Sequence, residues 1–413
     1  MPGFRFLHAA DIHLDSPLLG LRARNEDAAR LFAAASRKAF SNLVDAAIGH
    51  ETAFVIIAGD LYDGDWKDYA TGQFFVRQAG RLARARIKLF LIRGNHDAAS
   101  EISRALPPPD GMHQFSTRKV ETVEIPELTV ALHGRSFANR QVTDNFAGDF
   151  PAARPGWFNI GVLHTSLTGR DGHDVYAPCS LDDLLRLGYQ YWALGHIHAR
   201  EVVHADPPVV FPGNLQGRHA RETGPKGATL VTVDNNNVTK LEALELDAAR
   251  WETPIIDIAG LSDERALHDA VRAALTPLVG ACDGRPLALR LRLTGASPLH
   301  AQLVADRERL AEELQAVAST LSDQVYVEKL LIDTRAPGVA GMLALPLADL
   351  EEAIGAVALR PEFRHDLASH LALIRAKAPP EALEPEADID AILAQARDLI
   401  VSRLVSGAGE ADA

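Results

Sequence analysis

Two histidines one residue apart, His196 and His198, follow Gly195 at the end of an apolar run, in the stretch "YWALGHIHAREV" (191–202). Imidazoles there can hold a metal ion or move a proton, provided the chain brings partners to them. Candidates recur in one kind of place. Asp11 and His13 close "HAADIH", Asp60 and Asp63 close "VIIAGDLYD", Asn95, His96 and Asp97 close "LFLIRGNHD", and His164 lies at the end of "NIGVLHT". Each alone has an ordinary reading: Asp11 or Asp60 as a helix cap or turn residue, Asn95 as a turn beside Gly94, His164 as a hydrogen-bonded core histidine. As a converging set they are costly to bury unless something satisfies them. A metal site explains why carboxylate, imidazole and amide ligands arrive from separate segments. The mix contains no cysteine and suits Mn, Fe or Zn better than Cu(I), while several histidines make Mg or Ca less natural. There are too many ligands for one ion. Two divalent ions roughly 3.5–4 Å apart, sharing a bridging carboxylate, would clamp a phosphate and activate the attacking water.

The elements that must position these residues are legible in the apolar runs before them. "RFLHAAD" (5–11), "TAFVIIAGD" (52–60) and "IKLFLIRGN" (87–95) read as strands, separated by helical patterns over 25–50 and 68–85. This βαβαβ order predicts a layered α/β domain whose ligands lie beyond the carboxyl ends of parallel strands. Glycines 59, 94 and 195 are expected to let the backbone turn sharply beside the cluster. Further strands are expected at 129–137, 157–165, 191–199, 207–214, 227–235 and 238–246. The predicted organisation is a domain over 1–250, a small α/β domain over 251–342 and a helical region over 343–413. Helices are expected there at 343–375 and 387–406.

The chain has 413 residues, 47% apolar and 23% charged, the composition of an ordinary folded protein. Its net charge of −13 argues against a uniformly basic nucleic-acid binder. The acidity is uneven: residues 1–250 carry 27 Lys/Arg against 29 Asp/Glu, and residues 251–413 carry 15 against 26. No stretch of 18 uninterrupted apolar residues exists, so no membrane span is expected. The first residues turn polar and acidic too early for a secretory signal. Two distant cysteines, Cys179 and Cys282, make a disulfide framework improbable and fit a reducing cytoplasm.

The motifs Asp11/His13, "GDLYD", "GNHD", a lone His164 and "GHIH", in this order, resemble the pattern of the calcineurin-like metallophosphoesterases. The resemblance implies a four-layer α/β/β/α sandwich with a smaller C-terminal α/β cap and a helical tail. It implies that Asp11, His13, Asp60 and His198 hold one metal and Asp60, Asn95, His164 and His196 the other, with Asp60 bridging. His96 would be the catalytic histidine, Asp97 would orient it, and Asp63 would steady a ligating histidine. "HAADIHLDSP", "HGRSF", "HDVYAPCS" and "VFPGNLQGRHARETGPKGATLV" are similar to the DNA repair exonuclease (SbcD-like) branch. That branch implies a DNA substrate, a coiled-coil SMC-like ATPase partner and a homodimer.

Phosphate contacts are expected from loop residues of the first part: Arg93, Arg135, Arg170, His173, Arg200, Arg218, His219, Arg221 and Lys226. Tyr176 or Trp192 could stack on a base, and each has an equal reading as a core residue. The leading reading is a Mn-dependent DNA exonuclease acting in repair. A phosphoesterase of nucleotides, phosphoproteins or other small esters is the second reading. A non-catalytic or partner-dependent subunit binding DNA or an ATPase is the third.

Overall fold

The computed structural model describes residues 3–16, 26–63, 69–99, 109–168, 176–337 and 354–377, with 389–390, 392–393 and 396. They fall into two compact units. The first includes residues 31–218 and 224–250, and the second includes residues 219–223 and those from 251 onward.

The first unit is built on two sheets. Strands β1 (Phe4–Ala9), β2 (Phe54–Ala58), β3 (Lys88–Ile92) and β4 (Met112–Gln114) run parallel, while β11 (Gly227–Asp234) and β12 (Asn237–Glu245) extend that sheet antiparallel on the β1 side. The second sheet has the order β5 (Glu121–Ile125), β6 (Val130–Gly134), β7 (Phe158–His164), β8 (Tyr191–Gly195), β10 (Pro208–Phe211), β9 (Glu201–Ala205). Its four central strands are parallel.

Strand periodicity of two separates the layers. In β2, Val55 and Ile57 face helices α1 (Glu26–Gly49) and α2 (Tyr69–Arg84), whereas Phe54, Ile56 and Ala58 join the core between the sheets. Both faces are covered, which is why "FVIIA" is a continuous apolar run. α1 answers with Phe32, Ala35, Ala39, Phe40, Leu43, Val44 and Ala47, all buried at helical spacing. The inter-sheet core packs Phe6, Phe54 and Phe90 against Phe158, Ile160, Val162 and Tyr191. On the far face of the second sheet, Trp192 and Leu194 pack with Phe137, Phe146, Phe150 and Leu184. The result is the expected α/β/β/α sandwich. His8 crosses between the sheets: its Nδ1 meets the Tyr191 hydroxyl at 3.0 Å and its Nε2 donates to Leu194 O at 3.1 Å. Burial pushes its pKa down to about 3, so it serves as a neutral strut.

In the second unit, strands β13 (Arg250–Glu252), β14 (Ile255–Asp257), β15 (Leu287–Ala296) and β16 (Val325–Arg335) form a sheet in which β14, β15 and β16 are parallel. Leu267, Val271 and Leu275 of one helix (Glu264–Ala281) and Leu310 and Leu314 of another (Arg307–Ser319) cover its Leu287, Leu289, Leu291 and Leu293. Helical segments follow over 354–358 and Pro361–Lys377. Much of the helix expected over 387–406 lies outside the described residues. No helix among the described residues is long and apolar enough to cross a membrane.

Strands β4, β5, β9 and β16 were not expected. The first three are short edge or near-edge pieces with polar residues on one face, and β16 carries Glu328, Lys329 and Asp333 among its apolar positions. Gly161 pairs directly with Trp192, and a Cβ there would sit 2.3 Å from the indole ring. Gly161→Ala should therefore destabilise the first unit by about 1–3 kcal/mol through overpacking. A lowered denaturation midpoint by near-UV circular dichroism checks this, and an unchanged midpoint contradicts it.

Candidate metal centre

The carboxyl ends of β1, β2, β3, β7 and β8 deliver the site. After β1 the chain runs beside the end of β2, where Asp11 N donates to Gly59 O and Ile12 N and His13 N donate to Asp60 O. Asp11, His13, Asp60, Asn95 and His164 are all buried. Four of the expected ligands have left-handed backbone: Asp11 (φ 50°), His13 (46°), Asp60 (53°) and His196 (102°). Such strain in non-glycine residues concentrates where function demands it. Gly59 has φ 99°, as the turn argument expects. Gly94 and Gly195 do not, and close approach is the reason for them: a Cβ would lie 2.2 Å from Asp60 Oδ1 at Gly94 and 2.0 Å from Ala58 O at Gly195.

Asp60 is the centre of the cluster. Its Oδ1 accepts from His96 N at 2.9 Å, and its Oδ2 lies 3.4 Å from His164 Nε2 and 3.9 Å from His13 Nε2. His164 Nδ1 is 2.9 Å from Ala58 O, which can only accept, so this nitrogen carries a proton. His164 Nε2 then faces Asn95 Oδ1 at 3.0 Å and the Asp60 carboxylate. Three acceptors meet there as the side chains stand, and a second imidazole proton, a reversed Asn95 amide or a cation reconciles them. Burial opposes charge on His164, but Asp60 and then Asp11 override it and hold its pKa at about 9. Asp60 itself is held well below the usual carboxylate range: burial works against this, and the charges of His164, His96 and His13 outweigh it. Asp11 is pushed up by burial, although His198 and His164 oppose the rise and His196 N donates to it at 2.9 Å. His13 is driven down to about 3, first by burial and then by Arg218. Neither of its ring nitrogens has a hydrogen-bond partner; Asp63 Oδ1 lies 3.6 Å away, beyond hydrogen-bond reach.

Three overlapping sets bring ligand atoms within 4.8 Å of one another: Asp11/His13/His198, His13/Asp60/His96 and Asp11/Asp60/His164. The donors fit divalent cations: the His13 nitrogens lack partners, the His164–Asn95–Asp60 acceptors converge, and the set is all oxygen and imidazole nitrogen. The His196 ring is outside these sets and stands 5.3 Å from that of His164 and 5.0 Å from that of Tyr176.

Residues 4–200 match the family described as "Calcineurin-like phosphoesterase", and residues 251–335 match "Metallophosphoesterase YhaO, middle domain". Metallophosphoesterase YhaO of Bacillus subtilis (strain 168) is 33% identical over 348 residues, which is 82% of this chain and 84% of that protein. The chain belongs to the calcineurin-like metallophosphoesterases. Two proteins named "DNA double-strand break repair protein Mre11" are more distant. That of Methanopyrus kandleri is 24% identical over 337 residues, covering 73% of this chain and 67% of the relative. That of Aeropyrum pernix is 26% identical over 295 residues, covering 66% and 67%.

The orientation of His96 departs from expectation. Asp97 does not supply the carboxylate that meets its ring: that carboxylate accepts the backbone N–H groups of Leu61 (3.1 Å), Tyr62 (2.9 Å) and Gly94 (3.1 Å). Burial followed by repulsion from Asp60 pushes the Asp97 pKa up to about 6. The partner is Asp63, whose Oδ1 lies 2.8 Å from His96 Nδ1. Burial opposes charge on His96, yet Asp63 and Asp60 raise its pKa. Ser16, which is not in the expected set, donates through Oγ to Asp63 Oδ2 at 2.6 Å.

Arg218 is the expected phosphate contact brought close to the cluster, with Nη1 4.0 Å from Asp63 Oδ2 and Nη2 3.4 Å from His198 Nδ1. Arg93 donates to Asp97 O at 3.0 Å. Arg135 is engaged with Asp149 at 2.6 Å and lies over the Phe146 ring, a structural employment. His219 and Arg221 fall in the second compact unit, where His219 lies 3.5 Å from Glu222. Lys226 is half-buried and Arg200 exposed. Arg170 and His173 lie outside the described residues. Trp192 is fully buried and stacked on Tyr189, so it cannot take a base. Metal-stripped protein should take up two equivalents of Mn per chain in a calorimetric titration, with a higher melting temperature. Asp60→Asn should take up one or none. Uptake of two equivalents by Asp60→Asn would contradict a shared ligand.

Proposed function

We propose that the chain is a two-metal phosphodiesterase acting on DNA, a repair exonuclease that uses Mn, with Fe or Zn as alternatives. The observation that carries the phosphoesterase chemistry is the convergence of His164, Asn95 and Asp60 acceptors beside the unpartnered nitrogens of His13. Asp11, His13, Asp60 and His198 would hold one ion and Asp60, Asn95, His164 and His196 the other. When bound, the ions clamp the phosphate and lower the pKa of the attacking water. The remaining work belongs to the chain. Asp63 holds the His96 ring at Nδ1, which leaves Nε2 to deliver a proton to the departing oxygen. Buried Asp97 fixes the turn between β2 and the "GNHD" segment, so that His96 N reaches Asp60.

The similarity to the more distant relatives, both named as DNA double-strand break repair proteins, supports DNA as the substrate. Residues 1–250 would be catalytic, 251–342 an accessory domain, and 343–413 a helical region for a coiled-coil SMC-like ATPase. Homodimerisation and a cytoplasmic location accompany this reading. The net charge of −13 favours a second reading, hydrolysis of small phosphoesters.

Removing His96 should cost about 10²–10⁴-fold in turnover while both metals remain bound, whereas Asp60→Ala should lose metal and activity together. The assay uses linear single- and double-stranded DNA and bis(p-nitrophenyl) phosphate, with Mn and with chelator. Normal turnover by His96→Ala would remove it from the mechanism. Cleavage of the synthetic ester alone, with no DNA degraded, would favour the second reading.

A further inference from the structure

We propose that Ser16 is a positioning residue for hydrolysis: through the Asp63 carboxylate it sets the direction of the His96 ring, and Asp15 anchors it for that task. The inference rests on the phosphoesterase reading above and deepens it. The "LDSP" stretch that follows His13 contributes nothing to the ligand cluster, yet its serine reaches a carboxylate 47 residues away. Asp63 uses its two oxygens differently. Oδ1 lies 2.8 Å from His96 Nδ1, and Oδ2 accepts from Ser16 Oγ at 2.6 Å. The last torsion of an aspartate is broad and roughly two-fold, so a carboxylate bonded only to the imidazole could swing with it. A second bond on the other oxygen fixes the carboxylate plane, and with it the line along which Oδ1 meets the ring. His96 needs that restraint: its side chain is 28% exposed, and Asp97 is engaged by three backbone N–H groups instead.

A serine has one side-chain torsion and a short reach, so it can orient a partner only from a fixed backbone. Leu14 pairs with Tyr62, next to Asp63, and Leu14 N donates to Leu61 O at 3.0 Å. Ser16 N donates to His13 O at 3.1 Å. Between them Asp15 has left-handed backbone (φ 58°), which persists in a non-glycine residue only where the surroundings enforce it. The helix layer enforces it here. Arg37 of α1 meets Asp15 with Nε 2.7 Å from Oδ1 and Nη2 2.5 Å from Oδ2, a bidentate pair. Thr71 Oγ1 of α2, buried, donates to the same Oδ2, and Asp15 N donates to Ser36 Oγ at 3.0 Å. Arg37 also lies over the Phe74 ring of α2, 5.5 Å from its centroid. Both helices therefore hold the residue next to Ser16.

A serine kept only to turn the chain would bond its own backbone neighbours. Ser16 Oγ bonds the carboxylate that meets His96. The hydroxyl makes and breaks no covalent bond: it donates to Asp63, Asp63 accepts from it and from the imidazole, and His96 Nε2 is left to the departing oxygen. The contribution of Ser16 is thus confined to the step in which that oxygen needs a proton.

The test uses metal-loaded wild type, Ser16→Ala, Ser16→Thr, His96→Ala and the Ser16→Ala/His96→Ala double variant. The substrates are methyl phenyl phosphate and methyl p-nitrophenyl phosphate, which differ in the basicity of the departing oxygen. Ser16→Ala should lower kcat about ten- to a hundredfold on the phenyl ester and less than about threefold on the nitrophenyl ester, with KM and metal content unchanged. Ser16→Thr keeps the hydroxyl and should recover most of the loss. In the His96→Ala background the serine change should add nothing, because both act at one place. A second measurement needs no turnover. In Zn-loaded protein, which is diamagnetic, the His96 Nδ1–H proton should give a low-field NMR resonance in wild type and Ser16→Thr that broadens into solvent exchange in Ser16→Ala. Equal losses on the two esters, losses additive with His96→Ala, loss of metal from Ser16→Ala, or a resonance that Ser16→Ala leaves unchanged each overturns the proposal. A wild type that hydrolyses neither ester contradicts the proposed function instead, and the resonance still decides Ser16.

Discussion

One hydrogen bond sets the terms for the centre: His164 Nδ1 gives its proton to the carbonyl of Ala58 at 2.9 Å. The carbonyl belongs to the last residue of β2 and the imidazole to the last residue of β7, so each sheet contributes one side of the bond. The other ring nitrogen is thereby aimed at Asn95 and Asp60 as an acceptor among acceptors. Asp60 and Asp11 raise the pKa of His164 against the effect of its burial, and a cation would answer the same concentration of acceptors. The neighbouring backbone is shaped around this constraint. Gly59 adopts φ 99° where a Cβ would strike His164 Nδ1, and Gly195 brings β8 against the same Ala58 carbonyl.

A second carboxylate divides the labour. Asp60 faces the ligand cluster, whereas Asp63, three residues on, faces His96, Ser16 and Arg218. The separation keeps the His96 imidazole and the Arg218 guanidinium beside the candidate ligands without making them compete for one oxygen. It also gives the left-handed backbone at Asp11, His13 and Asp60 a purpose, since extended strands would carry these side chains past one another.

The convergence of the candidate ligands was legible in the sequence because each follows a buried apolar strand, and parallel topology gathers such ends on one edge. Asp11, Asp60, Asn95 and His164 needed only that rule. The partner of His96 was not legible: Asp97 is adjacent in sequence, but the short helix starting at Asn95 points its carboxylate back at three backbone N–H groups, and Asp63 arrives from another strand. Trp192 looked available to a base because alternation does not say which face of a doubly covered sheet is open. Neither face is, and the glycine opposite it, Gly161, shows where the indole went. Gln216 and Asn214 were not singled out in the sequence, because they make contacts with residues 248–249 and His198 that no local pattern encodes.

The central claim is that Asp60 is shared by two cations in one cluster. Anomalous diffraction from a Mn-soaked crystal, recorded at the Mn edge, tests it most directly. The account predicts two peaks roughly 3.5–4 Å apart, both within bonding distance of the Asp60 carboxylate, one on the His13 and His198 side and one on the Asn95 and His164 side. A single peak, or two peaks of which only one touches Asp60, would contradict it.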